Sequence, residues 1–298
     1  SLAWSVLADL FSTAQGKRLF GLLAAGASLG GLSGPVLGTL LVAPLGHAGL
    51  LVLAAVFLLG SIGATLFLQR WRARQPIAMQ TKHQDARPLG GNPFTGATAV
   101  LRSPYLLGIA LFVVLLASVS TFLYFEQARI ISETFTDRTR QTQVFGLIDT
   151  VVQALAILTQ VFLTGRLARR LGVGVLLVTV PLIMAAGFLW LALAPVFALF
   201  VVVMVVRRAG EYALVRPGRE MLFTVLPAED KYKAKNFIDT VVYRGGDALS
   251  GWVKRGLDVM GEHPQLAMLI GALLAVGWAA TGGWLGRRQA RMDRPPHH

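Results

Sequence analysis

Acid–base pairs recur at helix-turn spacing inside apolar stretches of this chain, most densely between Arg207 and Gly251. Lys235 and Asp239 stand four residues apart and Arg244 and Asp247 three apart, so each pair shares a helix face. Arg208 and Glu211 have the same three-residue spacing, with Tyr212 one turn on from Arg208. Upstream, Glu126 and Arg129 lie three apart, and Asp149 and Gln153 four apart. An ionisable group in a membrane segment costs roughly 2.5–3.5 kcal/mol on insertion scales, so it persists mainly where it faces a bundle interior or a watery cavity. Three kinds of chemistry suit such groups: structural ion pairing, direct contact with a charged solute, and proton coupling through a carboxylate. For coupling the candidates are Asp149, Glu126 and Asp239.

The elements that carry these groups are membrane helices. Of 298 residues, 54% are hydrophobic and 14% charged, and segments of about twenty apolar residues, the length that spans a bilayer core, recur along the chain. The expected fold class is an all-α polytopic membrane protein. There is no cysteine, which excludes disulfides and thiolate metal sites. No GxxxxGK[ST] run, HExxH or His cluster occurs, and His47, His83 and His263 fall in three different loops. The Gly-rich GLLAAGASLGG lies within a membrane helix with no strand before it, which excludes a dinucleotide fold. No enzyme activity, cofactor or metal is therefore expected.

In chain order, Ser1 opens into LAWSVLADLF, which reads as the last turns of a helix already under way, so a fragment lacking its first helices is expected. A Gly-rich helix from about 21 to 42, a turn at 44–49 and an apolar helix from about 50 to 68 come next. Residues 69–102 read as a flexible, solvated linker between two halves. Six further segments follow, near 104–131, 144–163, 173–193, 196–215, 236–260 and 265–285. Lys17 and Arg18, the linker, Arg166 with Arg169 and Arg170, the 216–235 stretch and the Arg-rich tail occupy alternate loops. Only Arg138 and Arg140 occupy the loops between. By the positive-inside rule the linker and the C-terminus are cytoplasmic. The formal net charge of +13 is thus a mark of topology and not of nucleic-acid binding.

The segments at 50–68, 173–193 and 265–285 have no charge in their cores, so two polar helices and one apolar helix alternate. This order resembles the major facilitator superfamily, in which two six-helix halves joined by a cytoplasmic linker leave every third helix outside the cavity. On that resemblance the chain runs from the end of helix 4 to helix 12. Residues 1–68 are then the remainder of the N-terminal half, 69–102 the linker and 103–298 the C-terminal half. The run Gly165-Arg166-Leu167-Ala168-Arg169-Arg170-Leu171-Gly172 resembles a second copy of the superfamily's cytoplasmic loop motif, a Gly turn with basic residues, without its acidic residue. Gly21, Gly30, Gly34, Pro35 and Gly38 stand at the spacing of its antiporter motif, with Thr39 where a final Gly would be. Such small residues let helices approach closely.

Residues 211–251 are similar to nucleotide transporters of the ATP/ADP translocase type. The similarity runs through Tyr212, the Arg219-Glu220-Met221 step, Lys233, Lys235, Ile238, Asp239 and the turn at Gly245-Gly246, with Ala234 replacing the family's Gly. The resemblance implies a secondary transporter in the bacterial inner (plasma) membrane that works by alternating access, exchanging an anionic solute of the nucleotide kind. A phosphate group taken out of water needs several cationic donors, which Arg129, Arg208, Lys235 and Arg244 can supply. Glu126, Asp149, Glu211, Asp239 and Asp247 balance them, which suits partner-switching salt bridges or proton coupling as readily. The alternatives are therefore a proton-coupled carrier of another small solute and a transporter-like membrane protein with no transport role. The expected partners are the lipid bilayer and a small solute.

Overall fold

A computed structural model describes residues 13–73, 94–194, 196–259 and 264–293. The helix stub at 1–12 and most of the linker lie outside the described residues. No strand occurs among the described residues, and the chain divides into two compact units, Ser1–Gly91 with Asp137–Thr150, and Asn92–Thr136 with Val151–His298.

In the first unit, α1 (Thr13–Ala73) is broken at Gly46, whose φ of 65° and ψ of 179° are open to glycine alone. The break falls inside the turn expected at 44–49 and separates the two apolar segments. Thr39 Oγ1 donates to Pro35 O at 2.8 Å. A Cβ on Gly146 would overlap that hydroxyl and stand 3.1 Å from the Pro35 carbonyl. The close helix approach thus comes from Gly146, whereas a Cβ on Gly30, Gly34 or Gly38 meets no described atom. Beyond the break, His47 Nε2 and Thr142 Oγ1 are hydrogen-bonded at 3.0 Å. Asp137 starts the next helix, α4 (Arg138–Thr159), by accepting from the Thr139 and Arg140 amides.

The second unit opens with α2 (Phe94–Arg102), in the last part of the stretch read as a flexible linker. Val100 is buried, and a Cβ on Gly96 would lie 2.6 Å from the Lys233 carbonyl oxygen. The composition of 69–102 as a whole is that of a solvated linker. What fixes this end of it is an apolar face and a glycine that admits a neighbouring backbone. α3 (Pro104–Thr134) follows, with Ser103 capping the Leu106 amide and Pro104 where a missing N–H costs nothing. Its Ile109, Phe112, Val113, Leu116 and Leu123 are fully buried, and Tyr105 Oη donates to Leu222 O at 2.9 Å.

α4 passes through a π-helical turn (Gln160–Thr164) into α5 (Gly165–Leu171). Gly165 is helical; the turn glycine of the motif is Gly172, whose φ of 79° ends the helix. Next come α6 (Val173–Leu193), α7 (Phe197–Gly210), a second π turn (Glu211–Val215) and α8 (Arg216–Leu222). α9 (Ala228–Phe237), a third π turn (Ile238–Val242), α10 (Tyr243–Val259) and α11 (Pro264–Met292) are the last of the described elements. Five stretches among the described residues are long and apolar enough to cross a membrane: Ser28–Phe67, Pro104–Thr134, Arg138–Leu171, Val173–Leu193 and Gln265–Met292. The segments expected near 196–215 and 236–260 are helical but interrupted by π turns, which carry Glu211 and Asp239.

α6 and α11 meet backbone to backbone. A Cβ on Gly286 would overlap Gly174 Cα, and one on Gly282 would lie 2.9 Å from Leu177 O. The Gly-x-x-x-Gly of α11 thus admits the backbone of α6, an arrangement that favours van der Waals contact where lipid offers no hydrophobic drive. Trp278 fills the layer between α11 and α3, 5.7 Å from the Phe112 ring. Because the obstacle at Gly286 is backbone and cannot swing away, Gly286→Ala should cost about 1–3 kcal/mol. Thermal unfolding in detergent would register this, and an unchanged midpoint would refute the packing argument.

Candidate functional site

The polar centre of the second unit is Glu211, where α7 loosens into its π turn. Glu211 Oε2 lies 3.0 Å from Arg207 Nη1 and both side chains are buried. Glu211 Oε1 lies 3.6 Å from Arg216 Nη2, whose side chain is 52% exposed. In an α-helix a residue five places on points well away from the first, but the five-residue hydrogen-bond step of a π turn brings Glu211 and Arg216 together. Arg207 Nη1 also donates to Ser120 Oγ at 2.6 Å, tying α7 to α3. The Arg216 guanidinium stacks 4.3 Å above the Tyr212 ring.

π turns leave carbonyls without their usual helical donors, and here the neighbouring π turn supplies them. Gln160 Nε2 donates to Tyr212 O at 2.9 Å and Thr164 Oγ1 to Ala213 O at 2.7 Å. Among the described residues, Arg207 Nε is buried without a hydrogen-bond partner.

A second cluster joins α8 to α9 and the third π turn. Arg219 Nη2 lies 3.2 Å from Asp239 Oδ1, and Lys235 Nζ is bonded to Glu220. Lys235 and Asp239, expected to share a face, each take their partner from α8. The Arg219–Asp239 contact is one of charge, since Asp239 Oδ1 receives no well-directed hydrogen bond. A double-mutant cycle with Arg219→Gln and Asp239→Asn should give a coupling of about 0.5–1 kcal/mol, in the range of partly exposed pairs. Zero coupling would make the pair incidental.

α3 carries its own acids. Glu126 is buried and takes Arg129 Nη2 at 2.7 Å and Nε at 3.2 Å, with Glu133 at 3.5 Å from the same guanidinium. Asp247 of α10 accepts from Thr121 Oγ1 at 3.1 Å, and Arg244 Nη1 is 4.0 Å away with its side chain 81% exposed. Asp149 lies in the first unit and Gln153 in the second, one turn apart on α4. Arg208 is half-buried on α7. Arg166 and Arg169 lie exposed on α5 with Arg170.

The structure thus brings Glu211 and Tyr212 into one cluster and Arg219, Glu220, Lys235 and Asp239 into another. Arg207, Arg216, Ser120 and Thr121 were not among the residues expected from spacing. Arg207 was findable, because a four-residue spacing to Glu211 favours pairing as much as the three-residue spacing of Arg208 does. Arg216 was not, since only the π turn aligns it. No group of His, Asp or Glu among the described residues is arranged to hold a metal ion.

Membrane-length helices around buried ion pairs, tied across helices by hydroxyls, are the build of an integral membrane solute carrier. The sequence profile of the Major Facilitator Superfamily matches residues 1–206, and the chain belongs to that superfamily, whose members are secondary transporters and not enzymes. No curated protein matches the chain. The matched residues end at Val206, so the cluster around Glu211 lies beyond them.

Proposed function

We propose that the protein is an antiporter that exchanges an anionic solute of the nucleotide class by alternating access. In this reading residues 1–68 belong to one half, 69–102 form a cytoplasmic linker and 103–298 make the other half. The setting is a bacterial inner membrane with the C-terminus cytoplasmic. The observation that carries it is the excess of cation at Glu211: one carboxylate is shared by Arg207 and Arg216, and Arg216 is held loosely and half-exposed. An entering phosphate competes with Glu211 for Arg216, and Arg244, exposed and 4.0 Å from Asp247, is a second cation it can engage without breaking a close pair. On departure the phosphate is replaced by the carboxylate, so a counter-substrate re-enters a site whose charges are already oriented. Obligatory exchange follows if the unloaded half rocks slowly.

The test is uptake of labelled ATP by vesicles holding the full-length protein, with and without internal ADP. Uptake that needs internal nucleotide and survives a proton uncoupler is the expected result; no nucleotide uptake by correctly inserted protein would overturn it. A specific observation favours one competing reading, a proton-coupled carrier of another solute. Glu126 is a buried membrane carboxylate beside the partly exposed Arg129 guanidinium, the kind of acid that a proton relay in a carrier needs. Uptake collapsed by the uncoupler would select that reading.

A further inference from the structure

The three arginines of α5 form a pocket that neither reading of transport uses. Arg166, Arg169 and Arg170 line a recess of about 300 Å³ at the end of the Arg138–Leu171 span. Arg166 Nη1 donates to Phe162 O at 2.8 Å and Arg169 Nε to Gly165 O at 3.2 Å. Each of these bonds reaches one turn back along its own helix, so it positions a guanidinium and leaves its other N–H groups for a ligand. Among the described residues no ion pair involves any of the three. The sequence has no acidic residue between Asp149 and Glu211 to neutralise them.

The helix turn just before the pocket is apolar and outward-facing: Val161, Phe162 and Leu163 are all exposed. Cationic recess and apolar strip are thus contiguous along one helix, at the end of a membrane span. A free phosphate would use only the first. An anionic phospholipid uses both, with its phosphodiester in the recess and its acyl chains along the strip. We infer that α5 is a binding site for the headgroup of an anionic phospholipid, held by Arg166, Arg169 and Arg170.

The full-length protein, purified in detergent, would be mixed with phosphatidylglycerol, with phosphatidylcholine, or with inorganic phosphate alone. Retained lipid would be read by native mass spectrometry and stability by thermal unfolding. The expected result is retention of phosphatidylglycerol over phosphatidylcholine, reduced at least about tenfold in Arg166→Gln/Arg169→Gln/Arg170→Gln, with no stabilisation by phosphate. All three side chains are exposed, so the variant should fold; its midpoint without lipid is the check. If that midpoint falls, Arg166→Lys/Arg169→Lys/Arg170→Lys replaces it, and retention there should still drop because the forked donors are lost. A control removes the same charge elsewhere, at Arg102, Arg138 and Arg140. Equal loss in the control would reduce the effect to net charge and overturn the site. Equal stabilisation by inorganic phosphate would make the recess a soluble-anion site and overturn the lipid assignment. Undiminished retention in the Gln variant would overturn both.

Discussion

Glu211→Leu should abolish the proposed exchange and lower stability by about 3–5 kcal/mol, the cost of leaving a buried charge without its partner. The charge stranded is Arg207, which among the described residues keeps the Ser120 hydroxyl and already has one buried nitrogen without a hydrogen-bond partner. Replacing both members, as Arg207→Met/Glu211→Leu, removes the stranded charge and should recover most of the stability, because apolar residues of similar volume often substitute for a buried pair without loss. Transport should not return. Thermal unfolding and nucleotide uptake on the same preparations separate the two effects. If the single variant melts like the parent, Glu211 is not the keystone of this cluster. If the double variant transports normally, the pair is structural only and the proposed competition between phosphate and carboxylate falls.

Arg244→Ala gives the opposite pattern: uptake lost, stability unchanged. The Arg244 side chain is largely exposed and its nearest carboxylate, Asp247, stands at 4.0 Å, so removing it breaks no close contact. An exposed pair of that geometry contributes about 0–1 kcal/mol. Lys235→Ala should likewise lose uptake while still inserting in the membrane, with a small loss of stability because Glu220 gives up its partner. Vesicle uptake against membrane yield decides the matter. Near-normal uptake by both variants would remove the cationic cavity from the proposal.

The contrast between Glu211 and Arg244 also marks how far the sequence could be read. Membrane class, helix order and the resemblance to the superfamily followed from apolar length and from where the positive charges fall, because bilayer thickness and charge orientation act on segments one at a time. The break in α1 was legible for the same kind of local reason, since Pro44 and Gly46 interrupt an apolar run. The helical end of the linker was not. A nine-residue helix rich in small residues looks like a spacer until a neighbouring backbone is seen against Gly96.

Ion-pair candidates came from three- and four-residue spacing, which names residues able to meet on one helix. Spacing therefore picked out Glu126 with Arg129, and Arg244 with Asp247. It failed wherever helical register changed or the partner came from another helix. Glu211 meets Arg216 only because a π turn adds a residue to the step, and Asp239 and Lys235 find Arg219 and Glu220 across α8. By itself the sequence determined the kind of protein, its membrane-length apolar stretches and which ionisable residues stand in and between them. The tertiary structure alone decided which charges are shared, which are buried and which stay exposed, because register shifts and cross-helix distances arise only when the helices pack.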